Sequence, residues 1–294
     1  MPVGNLIKLV ASVVLAGLIL GNSVFAAPVK PVVTFGVSLR FHPITMYERY
    51  QPMMDYLTRN TPYRFELKVS RDYRELTEFL KEGKVDVASI GDGGLMKAML
   101  WAGALPVVKP LNTKGEPYYR SCLVVPANSP IRSLRDLKGK KLALGYYHST
   151  TGNLIPRYLL QGSGLNLSSL GSVANLRHHG EVARAVLRGQ YDAGFVKGAT
   201  ALRYSRKGLR AVYCSEELPS IPLLVRRDAP PELAAALTAA LVSLDRRKPE
   251  HRKIMETWDL EYQQGFVPAK RADYNSLMAM FRTRPLGCGK GCHK

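Results

Sequence analysis

One segment of the sequence occurs twice, and this duplication limits the folds that the chain can adopt. "LTEFLKEGKVDVASIG" and "VARAVLRGQYDAGFVKG" align with Gly83 on Gly189 and Asp86 on Asp192, about 106 residues apart. Each copy predicts a short helix, a glycine at which the helix ends, and a strand that opens on aspartate. The period is too long for a solenoid and favours two similar α/β lobes. The two aspartates predict a repeated structural hydrogen bond rather than a catalytic pair.

Short β-rich runs alternate with helical runs throughout both copies. "VVTFGVS" precedes a helical run over residues 44–58, and "KLALGYY" precedes one that begins at Thr151. This alternation predicts mostly parallel sheets flanked by helices. Open α/β sheets bind ligands beyond the carboxyl ends of their strands, so two such lobes would share one cleft.

We therefore predict a two-lobed α/β fold joined by hinge strands. The chain crosses between the lobes near residues 113–118 and again near residues 205–215, which would let them close on a ligand. The predicted division is a signal segment over residues 1–26, a first lobe over 27–115 and 210–284, a second lobe over 116–209, and a Cys/His tail over 285–294.

The N-terminal segment has the pattern of a cleaved secretory signal. Lys8 precedes the apolar run "LVASVVLAGLIL", and "SVFA" ends before Ala27 with small or aliphatic residues at the −3 and −1 positions. The apolar run is about a dozen residues, whereas a spanning helix needs about 20, so a membrane anchor is the weaker alternative. We expect export to the periplasm.

The composition favours anionic ligands, because 42 basic residues face 23 acidic ones. The basic residues are scattered through the chain instead of forming one tract, and a solvated basic surface is the alternative interpretation. An exported protein meets little nucleic acid. We therefore expect no nucleic-acid partner.

The stretch "GYYHSTTGNLIP" places three hydroxyls where a strand ends and a helix begins. These are the hydroxyls of Ser149, Thr150 and Thr151. A helix N-terminus carries partial positive charge and unsatisfied N–H donors, and hydroxyls add further donors. Gly152 would allow close approach of the backbone to a ligand. The combination predicts an anion-binding cradle, although simple N-capping by one hydroxyl remains the alternative.

Four segments occur in an order that matches one protein family. They are "RDYRELTEFLKEGKVDVASIG", "YYRSCLVVPANSPIRSLRDLKGKKLALG", "STTGNLIP" and "HGEVARAVLRGQYDAG". Together they resemble the periplasmic phosphate-, phosphite- and phosphonate-binding proteins of ABC transporters, over most of residues 32–228. The resemblance implies the type II periplasmic binding protein fold, with two α/β lobes around a hinged cleft. It also implies a small oxyanion ligand and a membrane ABC permease as partner.

The resemblance further implies which side chains contact the ligand. Thr151 stands where the family usually has serine, and the two tyrosines approach from the facing lobe and from the hinge. Packing of a tyrosine on a helix end, and a buried structural imidazole, are the alternatives for Tyr73 and His179. The implied ligand set is Tyr73, Tyr119, Ser149, Thr150, Thr151 and His179.

The chain also departs from the family. Aminophosphonate receptors hold the ligand ammonium with acidic residues, and the matching positions here are Ala199 and Ile221. The resemblance therefore implies an oxyanion or phosphonate without an amino group. Further candidates, proposed from position alone, are His42, Tyr47, Asp92 and His148.

The cysteines leave several interpretations open. In an oxidising compartment we expect a disulfide between Cys122 and Cys214, or one between Cys288 and Cys292 in the tail. If Cys122 is instead a free thiol, a thiol-reactive ligand is a further alternative. With His293, the tail resembles the Cys-x-x-Cys-His attachment site of haem c with one residue too many. A tail disulfide, a metal-holding thiol pair and covalent haem c are the alternatives.

Three functions compete on this basis. The sequence contains no Gly-x-Ser-x-Gly elbow and no His-Glu-x-x-His or paired-cysteine zinc pattern, so we expect no catalytic residues and no metal site in the body of the chain. The main hypothesis is a monomeric exported solute-binding protein for an ABC permease. The alternatives are a periplasmic sensor that reports to a membrane sensor kinase, and a haem-bearing redox protein on the same scaffold.

Overall fold

The computed structural model describes residues 29–38, 42–91, 94–147 and 149–283. The signal segment, Asp92, His148 and the Cys/His tail lie outside these ranges. Two mixed sheets, each flanked by helices, form the body of the protein from Val32 onward. Within the described ranges, no helix is both long enough and apolar enough to cross a bilayer.

The first sheet draws its strands from both ends of the described chain. The strands are β1 (Val32–Ser38), β2 (Arg64–Ser70), β3 (Val87–Ser89), β4 (Leu105–Pro110), β12 (Leu223–Val225) and β13 (Phe266–Pro268). They lie in the order β13-β4-β12-β3-β1-β2. β1 is parallel to β2 and β3, while β12 and β13 are antiparallel to their neighbours. The first lobe is therefore built from two chain segments.

Helices of the first lobe bury one face against this sheet. The first of them starts at a proline and buries Met46, Tyr50, Met53 and Leu57, a spacing that lines one side of a helix. These residues pack with the strands in one apolar core. The described helices of this lobe are α1 (Pro43–Asn60), α2 (Tyr73–Lys81), α3 (Leu95–Leu100), α7 (Pro231–Val242), α8 (Pro249–Met255) and α9 (Asn275–Thr283).

The second sheet forms the other lobe. Its strands are β6 (Ser121–Pro126), β7 (Lys141–Leu144), β8 (Ser172–Asn175), β9 (Ala193–Lys197) and β10 (Leu209–Cys214), in the order β10-β6-β9-β7-β8. Its helices in the described ranges are α4 (Ile155–Gly162), α5 (His179–Leu187) and α6 (Gly198–Ser205). A ribbon of two short antiparallel strands, β5 (Tyr118–Tyr119) and β11 (Leu218–Pro219), lies where the chain passes between the lobes.

The second lobe extends further along the chain than the sequence predicted. The run "LRAVYC" was expected to return to the first lobe, with the boundary at residue 210. It forms β10, which pairs antiparallel with β6 of the second sheet. Cys214 on β10 lies opposite Cys122 on β6, and the two are joined by a disulfide. The pairing of these distant strands therefore moves the boundary past Cys214, and Cys122 offers no thiol to a ligand.

The repeated aspartates make the same bonds in both lobes. The Asp86 carboxylate accepts the N–H of Thr34 at 2.9 Å, and the Asp192 carboxylate accepts the N–H of Lys141 at 2.7 Å. In both lobes the aspartate N–H donates to the carbonyl of the same partner at 2.9 Å. Each aspartate thus ties the repeated strand to the first strand of its lobe, and the predicted structural bond is confirmed.

The repeated glycines end the helices that precede these strands. Gly83 follows α2 and Gly189 follows α5, with φ angles of 71° and 69°. A side chain would strain this left-handed backbone, which explains why the repeat keeps glycine there.

Replacement of the two aspartates should have unequal effects on stability. Asp86 also accepts Arg226 Nε at 2.9 Å, whereas the bond from Lys141 to Asp192 is exposed. We expect Asp86→Ala to lower the free energy of unfolding by about 3 kcal/mol and Asp192→Ala to lower it by about 1 kcal/mol. Urea denaturation of both variants measures this, and equal losses would contradict it.

Candidate functional site

The chain between β7 and α4 forms an uncommon turn. Residues Thr150–Leu154 are π-helical, and the N–H of Leu154 donates to the carbonyl of Ser149 at 3.0 Å. Such five-residue turns are rare and are often found at functional sites. All three hydroxyl residues of the predicted cradle are buried here, with Thr151 completely so.

Ser149 caps this turn. Its hydroxyl oxygen accepts the N–H of Gly152 at 2.9 Å, and its carbonyl accepts the N–H groups of Asn153 and Leu154. The N–H groups of Thr150 and Thr151 precede these and point out of the N-terminal end by helix geometry. Ser149 therefore caps the turn, and Thr150 and Thr151 lie at its N-terminal end, where the sequence predicts the anion cradle.

Gly152 has a different role from the one expected. A Cβ on Gly152 would lie 2.7 Å from Cα of Gly145, and a Cβ on Gly145 would lie 2.9 Å from Cα of Gly152. The N–H of Gly145 also donates to the carbonyl of Gly152 at 2.7 Å. The close approach that Gly152 permits is therefore to the protein's own backbone at the end of β7.

Two side-chain amides hydrogen-bond to the backbone that leads into the turn. Asn153 donates its side-chain amide to the carbonyl of Tyr147, and Asn175 donates to the carbonyl of Gly145 at 2.6 Å. Arg157 Nε in turn donates to Asn153 Oδ1 at 2.9 Å. Burial lowers the pKa of Arg157. These bonds tie the described parts of this segment to the turn and to β8.

A second helix begins beside the cradle. His179 is the first residue of α5, and its Nε2 lies 3.4 Å from Oγ1 of Thr151. Ser121 donates its hydroxyl to the carbonyl of Thr151 at 2.7 Å. The N-terminal ends of two helices thus meet at Thr151.

The two predicted tyrosines lie on different sides of this cradle. Tyr73 begins α2 in the first lobe, and its ring centroid lies 6.0 Å from that of Tyr146 in the second lobe. Asp72 caps α2, so Tyr73 is not needed for that purpose. Tyr119 is buried in the ribbon strand β5, and the Lys197 ammonium lies 5.2 Å from its ring centroid.

The remaining candidates divide into two groups. His42 and Tyr47 are exposed at the start of α1, and Asp92 and His148 lie outside the described residues. Ile221, at a position matched to an ammonium-binding acid, is buried in the apolar cluster that contains Tyr119.

Comparison with known proteins identifies the family. A family model described as "ABC transporter, phosphonate, periplasmic substrate-binding protein" matches residues 35–274. The chain belongs to this family. The predicted resemblance is thereby confirmed.

Individual relatives have low sequence identity to this chain. The phosphonates-binding periplasmic protein of Escherichia coli (strain K12) is 24% identical over 210 residues, which are 68% of this chain and 62% of the relative. The phosphate-import protein PhnD of Mycolicibacterium smegmatis is 28% identical over 160 residues, which are 50% of this chain and 49% of the relative. The chain thus spans about half to three fifths of the length of these curated relatives.

A solved structure confirms the two-lobed α/β fold class, although the two sheets are mixed and not mostly parallel as the sequence predicted. PhnD1 from Prochlorococcus marinus, in complex with methylphosphonate, has a TM-score of 0.70 and 17% identity to this chain. The match covers 86% of this chain and 98% of that one. This chain therefore has the two-lobed α/β fold of periplasmic binding proteins.

Sequence reasoning did not identify several residues that shape the site. The contact between Gly145 and Gly152 could not be predicted, because the spacing of the two glycines does not indicate that they pack against each other. Asn153 and Asn175 carried no signal, because their bonds join separate elements. Lys197 could have been noticed as a charged residue at the end of a buried strand.

The contact between Gly145 and Gly152 should leave no room for a side chain, so a substitution there should lower the free energy of unfolding. Gly152→Ala would place a methyl group against backbone atoms of Gly145, which cannot move aside as a flexible side chain can. We expect a loss of about 2–4 kcal/mol in the free energy of unfolding. Gly162→Ala, at the end of α4 with open space around it, is the matched control and should be neutral or stabilising. Thermal denaturation distinguishes the two, and equal melting temperatures would contradict the role of the contact.

Proposed function

We propose that the protein is an exported, monomeric periplasmic solute-binding protein. It captures a small phosphorus oxyanion between its lobes, such as a phosphonate, phosphite or phosphate, and delivers it to the permease of an ABC transporter. The observation that carries this proposal is the buried turn Thr150–Leu154, which brings two threonines to its N-terminal end beside His179. Membership of the phosphonate-binding family supports it.

The proposed chemistry of binding is hydrogen bonding by groups that carry little charge. Thr150 and Thr151 would donate their hydroxyls and N–H groups, and His179 would donate from its ring. A tetrahedral oxyanion accepts several such bonds, and those to a charged acceptor are about twice as strong as those to a neutral one. Tyr119 would complete the site from the ribbon, and Tyr73 would close it from the first lobe.

The expected ligand carries no ammonium group. Ala199 and Ile221 stand at the positions that hold an ammonium in aminophosphonate receptors, and neither side chain can accept a hydrogen bond. An aminophosphonate would therefore leave its ammonium without a partner at these positions, at a cost in affinity.

For the residues outside the described ranges we propose roles from the sequence. Residues 1–26 would direct export and then be removed. The tail with Cys288, Cys292 and His293 would carry a disulfide, a metal or haem c, and a Soret band in purified periplasmic material would identify haem. The alternative partner is a sensor kinase in place of a permease. A transport defect on deletion of the gene would exclude the sensor kinase.

A panel of oxyanions tests the function directly. Protein unfolded to remove bound ligand and then refolded is heated with phosphate, phosphite, methylphosphonate, aminoethylphosphonate or sulfate. A specific ligand at 100 times its Kd stabilises the folded protein by about 2.7 kcal/mol. We expect clear stabilisation by at least one of the first three. If none of phosphate, phosphite and methylphosphonate raises the melting temperature, the proposed function is wrong.

Two neighbouring hydroxyls allow a matched test of the cradle. Thr150→Ala should weaken binding of the best oxyanion by about 1.5–3 kcal/mol, since a bond to a charged acceptor is lost, and should leave folding intact. Ser149→Ala removes the cap of the turn and should lower the stability of the ligand-free protein by about 1 kcal/mol. Calorimetric titration and melting curves are compared for both variants. Unchanged affinity in Thr150→Ala would exclude Thr150 from the site.

A further inference from the structure

Lys197 lies beside the cradle without belonging to it by sequence motif. It is the last residue of β9 and lies opposite Ser121 of β6. Ser121 donates its hydroxyl to the carbonyl of Thr151 at 2.7 Å, so the strand partner of Lys197 contacts the cradle directly. The Lys197 ammonium lies 5.2 Å from the ring centroid of Tyr119. The side chain therefore runs along the edge of the candidate site.

The ammonium also contacts the other lobe. Lys197 Nζ lies 3.1 Å from Oε1 of Glu261, which belongs to the short 3₁₀ turn Leu260–Tyr262 before β13. The two side chains are 25% and 32% exposed, whereas those of the surface pair Arg64 and Glu66 are 56% and 52% exposed. Solvent therefore screens this pair less than it screens the surface pair. A lysine of the second lobe is thus held by a glutamate of the first.

A phosphorus oxyanion in this cradle would be stabilised further by a full positive charge. The hydroxyls of Thr150 and Thr151 and the backbone N–H groups are neutral, and burial of an unpaired anion is costly. An ammonium has three N–H donors, so it can bond to a carboxylate and to a ligand oxygen at the same time. Lys197 stands at the edge of the cradle with its ammonium already directed to the opposite lobe.

We propose that Lys197 is a ligand-binding residue that joins the oxyanion to Glu261. Its ammonium binds the anion held by the second lobe and remains paired with the glutamate of the first, so the charge of the ligand draws the lobes together. This inference rests on the proposed function and deepens it. It also defines the ligand class, because the positive charge of Lys197 opposes any ligand that brings its own ammonium.

Titration calorimetry with inorganic phosphate and methylphosphonate tests this role. We expect Lys197→Met and Lys197→Gln to weaken binding of the preferred anion at least tenfold, which is about 1.4 kcal/mol. Lys84→Met removes a lysine from the exposed pair with Glu82 and is the matched control, with unchanged affinity expected. Ligand-free melting curves show which variants are folded, and Lys197→Gln serves if the Met variant is not. Affinity within twofold of wild type in a folded Lys197 variant would overturn the inference.

A charge exchange separates ligand binding from simple attachment of the lobes. The double variant Lys197→Glu with Glu261→Lys keeps an ion pair between the lobes but places a carboxylate beside the cradle. We expect it to bind no better than Lys197→Met. Recovery of wild-type affinity would overturn the inference, because it would show that the pair only fastens the lobes.

The same titrations distinguish this inference from the proposed function. Wild-type protein that binds neither phosphate nor methylphosphonate would overturn both. Wild-type binding together with recovery in the charge exchange would overturn the inference alone. We also expect the preference for methylphosphonate over aminoethylphosphonate to narrow in Lys197→Met, and an unchanged preference would overturn the assignment of ligand class.

Discussion

The backbone contact between Gly145 and Gly152 is the constraint on which the candidate site depends. It brings the start of the π-helical turn against the end of β7, with a hydrogen bond of 2.7 Å from one glycine to the other. Thr150 and Thr151 are buried at the N-terminal end of this turn, which the side chain of Ser149 caps. Preorganised donors bind an anion without the entropic cost of ordering them first. The side-chain amides of the buried Asn153 and the more exposed Asn175 add hydrogen bonds to Tyr147 and Gly145 in the same region.

The duplication supplies the rest of the architecture. Each lobe ties its repeated strand to its first strand through an aspartate, and in the second lobe the π-helical turn and α5 begin beside each other at Thr151 and His179. The two lobes differ in the groups that they place at the candidate site. The second lobe supplies the cradle, while the first supplies Tyr73 and the carboxylate of Glu261. An anion bound to one lobe therefore meets groups of the other only when the two are close.

Features set by local sequence could be predicted, and those set by distant contacts could not. The aspartate bonds were predictable because one short segment specifies helix, glycine and strand in both copies. The lobe boundary was misplaced because the sheet to which β10 belongs depends on its pairing with β6, far away in the chain. Gly152 was assigned to ligand approach because its contact with Gly145 has no signature in spacing. Lys197 was missed for a similar reason, since its partner Glu261 is 64 residues away.

The central claim is that an oxyanion binds at the N-terminal end of the turn that begins at Thr150. Crystals grown with arsenate, a tetrahedral analogue of phosphate with a strong anomalous signal, locate the anion directly. We expect an anomalous peak within hydrogen-bonding distance of Thr150 Oγ1 and Thr151, between the two lobes. A peak elsewhere on the protein, with none at this turn, would contradict it.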